Sequence, residues 1–177
     1  MRTIGTLNDR ALQTGLTFVV IGGHAVAAHG FARGTEDFDL LTSKEQRDRW
    51  KRLLEDLGYS QFHDGVTFLQ FKAPSEKVWD VDVMFTNETT FAKIIAGSKL
   101  VSIAGVEARI PALEHLLALK IHALAHTTTR RFLKDFDDVV NLVLANKIDV
   151  RSDEFRRLVE NSGSADLYEK IVRFTQQ

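Results

Sequence analysis

Residues 22–40 read GGHAVAAHGFARGTEDFDL, from Gly22-Gly23-His24 to Asp37-Phe38-Asp39-Leu40. The stretch follows an apolar run, Phe18 to Ile21, and brings together three chemically distinct devices. The double glycine at Gly22 and Gly23 lets backbone amides approach a phosphate closely. Arg33 supplies a planar guanidinium fork suited to phosphate or carboxylate. Asp37 and Asp39 are two apart on what reads as a strand, so their side chains point the same way. Two carboxylates so placed can share a divalent cation, and with the glycine turn they imply a site for a magnesium-bound triphosphate.

Outward from this stretch, the pattern predicts an alternation of strands and helices. A helix is expected over 3–14, ending at Gly15, and TFVVI (17–21) reads as a buried strand between glycines. A short alanine-rich helix covers 23–30, and the strand over 36–41 sets Phe38 and Leu40 against Asp37, Asp39 and Leu41. Ser43 and Gln46 form a capping-box pattern for a helix to Leu57, with Trp50, Leu53, Leu54 and Leu57 on its buried stripe and Gly58 behind it. Strands over 66–72 and 78–85 flank Ala73-Pro74-Ser75-Glu76-Lys77, which is hairpin punctuation. Asn87 should cap a short helix, and 100–110 is again strand-like.

In VWDVDVMF, alternation puts Val78, Asp80, Asp82 and Met84 on one face. A carboxylate in so apolar a strand is expensive to bury without a compensating positive charge. If this strand lies beside that of Asp37 and Asp39, three or four carboxylates converge, and a hard cation relieves their repulsion. The alternative, a solvated face with aspartates paired to Arg33 or Lys77, stays open for any one of them. Asp80 competes with Asp82; Asp82 is preferred because apolar residues flank it on both sides.

From Pro111 onward the texture is helical, with helices expected over 111–125, 129–146, 151–161 and 165–174. Lys120 falls on the apolar stripe of Leu113, Leu116, Leu117 and Leu124, where an ammonium needs either an anion or a route to water. Asp135 and Asp138 follow Arg131 and Lys134 by four residues, the ordinary spacing of surface ion pairs on a helix. His122 and His126 have a spacing seen in zinc sites, but no carboxylate lies near them on that helix. Arg130, Arg131 and Lys134 make the one dense basic cluster. The chain thus divides into an α/β core over 1–110 and a C-terminal helical segment over 111–177, with no flexible linker between, so the two are expected to pack as a single compact unit.

Composition narrows the classes. The chain has 177 residues, 44% of them hydrophobic, which suits a packed core and excludes disorder. Lys plus Arg (23) balances Asp plus Glu (24), so no global basic field favours nucleic acid. The absence of cysteine removes disulfides, thiolate metal sites and cysteine nucleophiles together. No signal core or membrane-length apolar run is present, and a soluble cytoplasmic protein without a membrane partner is expected.

Strand–Gly-Gly–helix, then R-x-T-x-D-x-D, then a later strand with an isolated aspartate resembles the nucleotidyltransferase superfamily. It is similar in particular to the AbiEii-type toxins and related minimal nucleotidyltransferases. LEHLLALKIHAL and RRFLKDFDDVVNL are similar to that family's lysine-bearing helix and its K-D-x-x-D helix. The resemblance implies an α+β (α/β) fold, a mixed sheet flanked by helices with a C-terminal helical segment. It implies that Gly22 and Gly23 cradle an NTP, that Asp37, Asp39 and Asp82 are catalytic and hold Mg2+, with two metals, and that Arg33, Lys120 and Asp135 contact the nucleotide. The implied reaction moves a nucleoside monophosphate from the NTP to a hydroxyl of a tRNA 3′ end, a protein or a small molecule. A toxin with an antitoxin protein as partner is the implied biological role. Gly23 departs from the common Gly-Ser pair, which keeps a second class in view: a nucleotide- or partner-binding module without turnover. A purely structural helical adaptor would bind no nucleotide at all.

Overall fold

The computed structural model describes residues 2–126 and 129–175, with the side chains of Arg2, Thr129 and Arg130 outside the description. The Arg130 member of the basic cluster therefore lies outside the described residues. The chain divides into two compact units: Met1–Ala25 with Arg33–Ala112, and Val26–Ala32 with Leu113–Gln177.

The first unit is built on a five-stranded mixed sheet. In chain order it contains α1 (Arg2–Thr14), β1 (Val19–Val20), the start of α2 (Gly22–Ala28), β2 (Asp37–Ser43), α3 (Arg47–Asp56), β3 (Ser60–Asp64), β4 (Phe68–Lys72), β5 (Asp80–Thr86) and α4 (Glu88–Ala96). A separate hairpin of β6 (Lys99–Ile103) and β7 (Val106–Ile110) follows. The sheet order is β1-β2-β5-β4-β3, with β2 and β5 parallel and the remaining neighbours antiparallel. One face is apolar and closed: Phe38, Leu40, Leu69, Phe71, Val81 and Val83 are fully buried. Burial of six such side chains accounts for the alternation in β2, β4 and β5, since each contributes on the order of 1.5–3 kcal/mol. The opposite face carries the aspartates.

Several sequence expectations change in detail. The 17–21 strand shrinks to Val19–Val20, because the chain leaves the ladder at Gly22; Ile21 still donates its N–H to the Asp39 carbonyl at 3.0 Å. No capping box forms at Ser43. The segment begins as a 3-10 turn over Lys44–Gln46, and the Gln46 side chain instead bonds Thr17 through both its amide oxygen (2.8 Å) and its nitrogen (3.1 Å). Asn87 does cap α4, accepting from the Thr90 N–H at 2.8 Å. The 100–110 stretch is a hairpin whose turn places both Ala104 and Gly105 at positive φ, 52° and 79°. Strand β3 was absent from the sequence reading.

The second unit packs α5 (Leu113–Ala125), α6 (Thr129–Ala145), α7 (Asp153–Ser162) and α8 (Ala165–Thr175) around Leu116, Leu117, Ile121, Val139, Leu142, Val159 and Ile171. Helix α5 begins at Leu113 and not at Pro111. Ser152 caps α7 by accepting from the Phe155 N–H at 3.2 Å. Asn146 donates to the His29 carbonyl at 2.8 Å, which ties residues 26–32 to this unit. No helix among the described residues is long and apolar enough to cross a membrane.

Candidate active site

The parallel pairing of β2 and β5 fixes the arrangement of the acids. Asp37 lies opposite Asp80, and Asp39 opposite Asp82. One carboxylate oxygen from each of Asp37, Asp39 and Asp82 lies within 4.8 Å of the other two. Asp80 is turned away from this group. Its carboxylate accepts from the Lys72 ammonium at 2.7 Å and from the Ala73 N–H at 2.8 Å. Burial pushes the Asp80 carboxyl up, but Lys72 and the Ala73 amide outweigh it and hold it below the usual carboxylate range. Of the two aspartates that compete in the sequence, Asp82 is the one that stands with Asp37 and Asp39.

The donor set is all oxygen, which suits a hard divalent cation. Around an octahedral magnesium, neighbouring oxygens are about 2.9 Å apart and opposite ones about 4.2 Å, so three carboxylates that ligate one ion directly draw closer together than the 4.8 Å bound, or reach it in part through water. Of the sequence-predicted residues, the three aspartates, Gly22, Gly23 and Arg33 all lie in the first unit.

The two glycines act through the side chains they make room for. Gly22 has φ +59°, and a Cβ there would collide with the Asp39 carboxylate. A Cβ at Gly23 would lie 2.7 Å from Thr35 Cβ, 2.8 Å from Thr35 Oγ1 and 3.0 Å from Arg33 Nη1. Arg33 Nη1 donates to the Gly34 carbonyl at 3.0 Å. Thr35 Oγ1 donates to Asp37 Oδ1 at 2.8 Å, and Gln70 Nε2 donates to Asp82 Oδ2 at 2.9 Å.

His24 stacks at a tilt on Trp79, with ring centroids 4.5 Å apart, and lies 5.8 Å from the Phe38 ring. Its Nε2 is buried and has no hydrogen-bond partner. Burial lowers its pKa, the negative charge of Asp37 opposes that, and Arg33 adds to the lowering.

Lys120 and Asp135 belong to the second unit. Lys120 Nζ lies 2.6 Å from Asp135 Oδ1 and 2.8 Å from Asp138 Oδ2, while Arg131 Nε lies 3.7 Å from Asp135 Oδ2. Both carboxylates are buried, and only 12% of the Lys120 side chain is exposed. Asp135 and Asp138 are therefore not surface partners of Arg131 and Lys134 alone, as their spacing suggested; they enclose the ammonium of a neighbouring helix. His122 and His126 stack edge to face at 4.6 Å between centroids, and no carboxylate joins them in a cluster of metal-ligating groups among the described residues.

Sequence reasoning gives no role to Thr35, the threonine of the R-x-T-x-D-x-D motif, and misses Gln70. Gln70 lies directly opposite Asp82 in the β4–β5 register, but that pairing is not readable without knowing where the hairpin turns. Thr35 had a weak signal, its position two residues before Asp37.

A mixed sheet with an Asp-x-Asp strand, a third aspartate on the parallel neighbour and a glycine turn packed on the second aspartate defines a nucleotidyltransferase. A model of the family described as "Uncharacterised nucleotidyltransferase" matches residues 4–177, and the chain belongs to that family. None of the curated proteins matches the sequence. Among solved structures, the fold is similar to the antibiotic-resistance factor ANT(2'')-Ia (TM-score 0.63, 15% identity, 98% of this chain and 93% of that one). It is also similar to an antigenic nucleotidyltransferase-like protein from Paracoccidioides brasiliensis (TM-score 0.57, 16% identity, 96% and 88% covered). The lincosamide antibiotic adenylyltransferase LnuA, solved with lincomycin, is a third (TM-score 0.54, 16% identity, 78% and 93% covered).

Proposed function

We propose that the protein transfers a nucleoside monophosphate from an NTP to a hydroxyl of a small-molecule acceptor, releasing pyrophosphate. The convergence of Asp37, Asp39 and Asp82 carries the reading. These carboxylates would hold Mg2+, in the two-metal form of the family, and bound Mg2+ neutralises charge that develops on the phosphates. Gly22 and Gly23 expose backbone where a side chain would block approach, and Arg33 offers its fork to the triphosphate. Asp82 takes the proton of the acceptor hydroxyl as that oxygen forms its bond to the α-phosphorus. The bond from the α-phosphorus to the bridging oxygen breaks, and its electron pair leaves with pyrophosphate. Lys120 and Asp135, which the resemblance adds to the nucleotide contacts, lie in the second unit, where the Lys120 ammonium is paired with Asp135 and Asp138.

A small-molecule acceptor is favoured by two proteins of similar fold. ANT(2'')-Ia has been solved with adenylyl-2''-tobramycin, and the adenylyltransferase LnuA with lincomycin. The AbiEii-type resemblance offers instead a tRNA 3′ end or a protein hydroxyl, with a toxin role in the cytoplasm and an antitoxin partner. Gly23 favours the remaining reading, a nucleotide-binding module without turnover; against it, Thr35 brings a hydroxyl to the space that a side chain at 23 would fill.

The test is transfer of label from each of four α-labelled NTPs to aminoglycosides, lincosamides, bulk tRNA and protein, with and without Mg2+. Label on a small molecule, dependent on Mg2+ and reduced at least about 100-fold by Asp39→Asn, is the expected result, since several kcal/mol of charge stabilisation rest on the carboxylates. Label on tRNA or protein alone would move the reading to the toxin class. Mg2+-dependent NTP binding without transfer to any acceptor would move it to the binding module.

A further inference from the structure

We infer that Thr35 and Gln70 are positioning residues that hold the carboxylate plates of Asp37 and Asp82 in the orientation a cation requires; the inference rests on the cation reading of the acidic triad given above. A carboxylate has two oxygens that exchange by rotation of one soft torsion, so three neighbouring aspartates form a defined ligand set only if something holds each plate. The structure supplies a separate device for each. The Thr35 hydroxyl donates to Oδ1 of Asp37 at 2.8 Å. The Gln70 amide donates to Oδ2 of Asp82 at 2.9 Å. The Asp39 carboxylate fills the volume that a Cβ at residue 22 would take, so its plate is wedged against backbone.

The arrangement also explains the second glycine. Thr35 reaches Asp37 only because residue 23 has no side chain: a Cβ there would lie 2.7 Å from Thr35 Cβ, well inside contact distance. Gly23 is in this sense a partner of Thr35, and its lack of a hydroxyl is the condition for the Thr35 hydroxyl being where it is. On the other side, Asp39, Asp82 and Gln70 form a row across β2, β5 and β4, fixed by the strand registers. Gln70 is the residue of that row that donates and does not repel. Both donors are neutral, so they orient the carboxylates without removing the negative charge that a cation requires. Outer groups of this kind commonly govern metal affinity by orienting the ligands.

The experiment is a calorimetric titration of Mn2+ into nucleotide-free protein, with thermal unfolding of the same samples, for wild type, Thr35→Val, Thr35→Ser, Gln70→Met and Asp39→Asn. Thr35→Val keeps the shape of the side chain and removes the hydroxyl; Gln70→Met keeps its length and removes the amide. Each should weaken Mn2+ binding about 10–100-fold, and Thr35→Ser should recover to within about threefold of wild type. A role confined to packing would lower the melting temperature and leave the Mn2+ dissociation constant alone. If either Thr35→Val or Gln70→Met binds Mn2+ within about twofold of wild type while Asp39→Asn does not bind, the positioning role is wrong and the cation reading stands. Where wild type takes up Mn2+ only with a non-hydrolysable NTP analogue present, the same comparison is made there; if it takes up none in either case, the cation reading fails and the positioning role falls with it. Should Thr35→Val not fold, Gln70→Met alone still decides the inference, because its residue lies on a strand whose buried side chains are untouched.

Discussion

His24 is the residue whose chemistry is least expected from its surroundings. It is the third residue of the glycine turn, lies against Trp79 and Phe38, and its Nε2 is buried without a partner. Desolvation disfavours the imidazolium more than the nearby Asp37 carboxylate favours it, so its folded pKa lies below the ordinary 6.5. The folded state then binds fewer protons than the unfolded chain over that interval. Stability from this group is complete above pH 6.5 and is lost as pH falls from 6.5 through the folded value. Melting temperatures in EDTA should therefore drop for wild type between pH 7.5 and 5.5, and drop less for His24→Gln. Equal slopes for the two proteins would show that the imidazole titrates as freely as in solvent. The aspartate opposite behaves differently. Asp80 has its pKa held down by Lys72 and the Ala73 amide, so the stability it contributes is complete above the ordinary 3.8 and is lost only as pH falls through the lowered value, well below the His24 interval.

At the scale of elements, the pairing of α5 with α6 turns on one ammonium. Lys120 is enclosed by Asp135 and Asp138, both buried, and Asp138 is fully so. Removing the cation leaves two carboxylates facing each other in a dry setting, a change that typically costs about 3–5 kcal/mol. Lys120→Met should lose that much in denaturant unfolding, and adding Asp138→Asn to it should restore part of the loss. A Lys120→Met variant as stable as wild type would mean that water reaches the pair. The same elements show what periodicity conveys and what it leaves out. The stripe of α5 marked Lys120 as anomalous, and the spacing of α6 marked Asp135 and Asp138, yet nothing in one helix tells which helix faces it. Alternation in β2 and β5 sorted apolar from acidic faces correctly, because a buried face leaves its period in the sequence. It did not show that the two strands are parallel neighbours in matching register, and the triad depends on that. Strand β3, Ser60–Asp64, carried no signal: it is an exposed edge with a register shift between Gln61 and His63, so it has neither a buried face nor strict alternation. Ser43 and Gln46 misled for the opposite reason. Their spacing fits a cap, but Gln46 gains more by bonding Thr17, a partner 29 residues away that local pattern does not reveal.

For the molecule as a whole, the acidic triad is a debt in stability that a ligand can cancel. Asp37, Asp39 and Asp82, all half-buried, bring three carboxylates within 4.8 Å on one face of a sheet whose other face is closed by apolar side chains. Mutual repulsion of these groups opposes folding, and anything positive that binds only the folded arrangement stabilises it by mass action. At a Mg2+ concentration 100 times the dissociation constant, the gain is about 2.7 kcal/mol. For a chain of 177 residues each kcal/mol moves the midpoint by about 2–4 °C, so the rise should be about 5–11 °C. Matched ionic strength in sodium chloride should reproduce little of it, because simple screening acts on all charges alike. Asp39→Asn separates the two contributions. Without divalent cation it should melt at the same temperature as wild type or higher, since one of three repelling charges is gone. With Mg2+ it should fail to rise. A variant that melts well below wild type in EDTA would assign Asp39 to the scaffold, where its packing against Gly22 matters more than its charge. A wild type whose midpoint ignores Mg2+ while NTP binding still requires it would mean that the cation arrives only with the nucleotide, its remaining ligands being phosphate oxygens and not carboxylates alone.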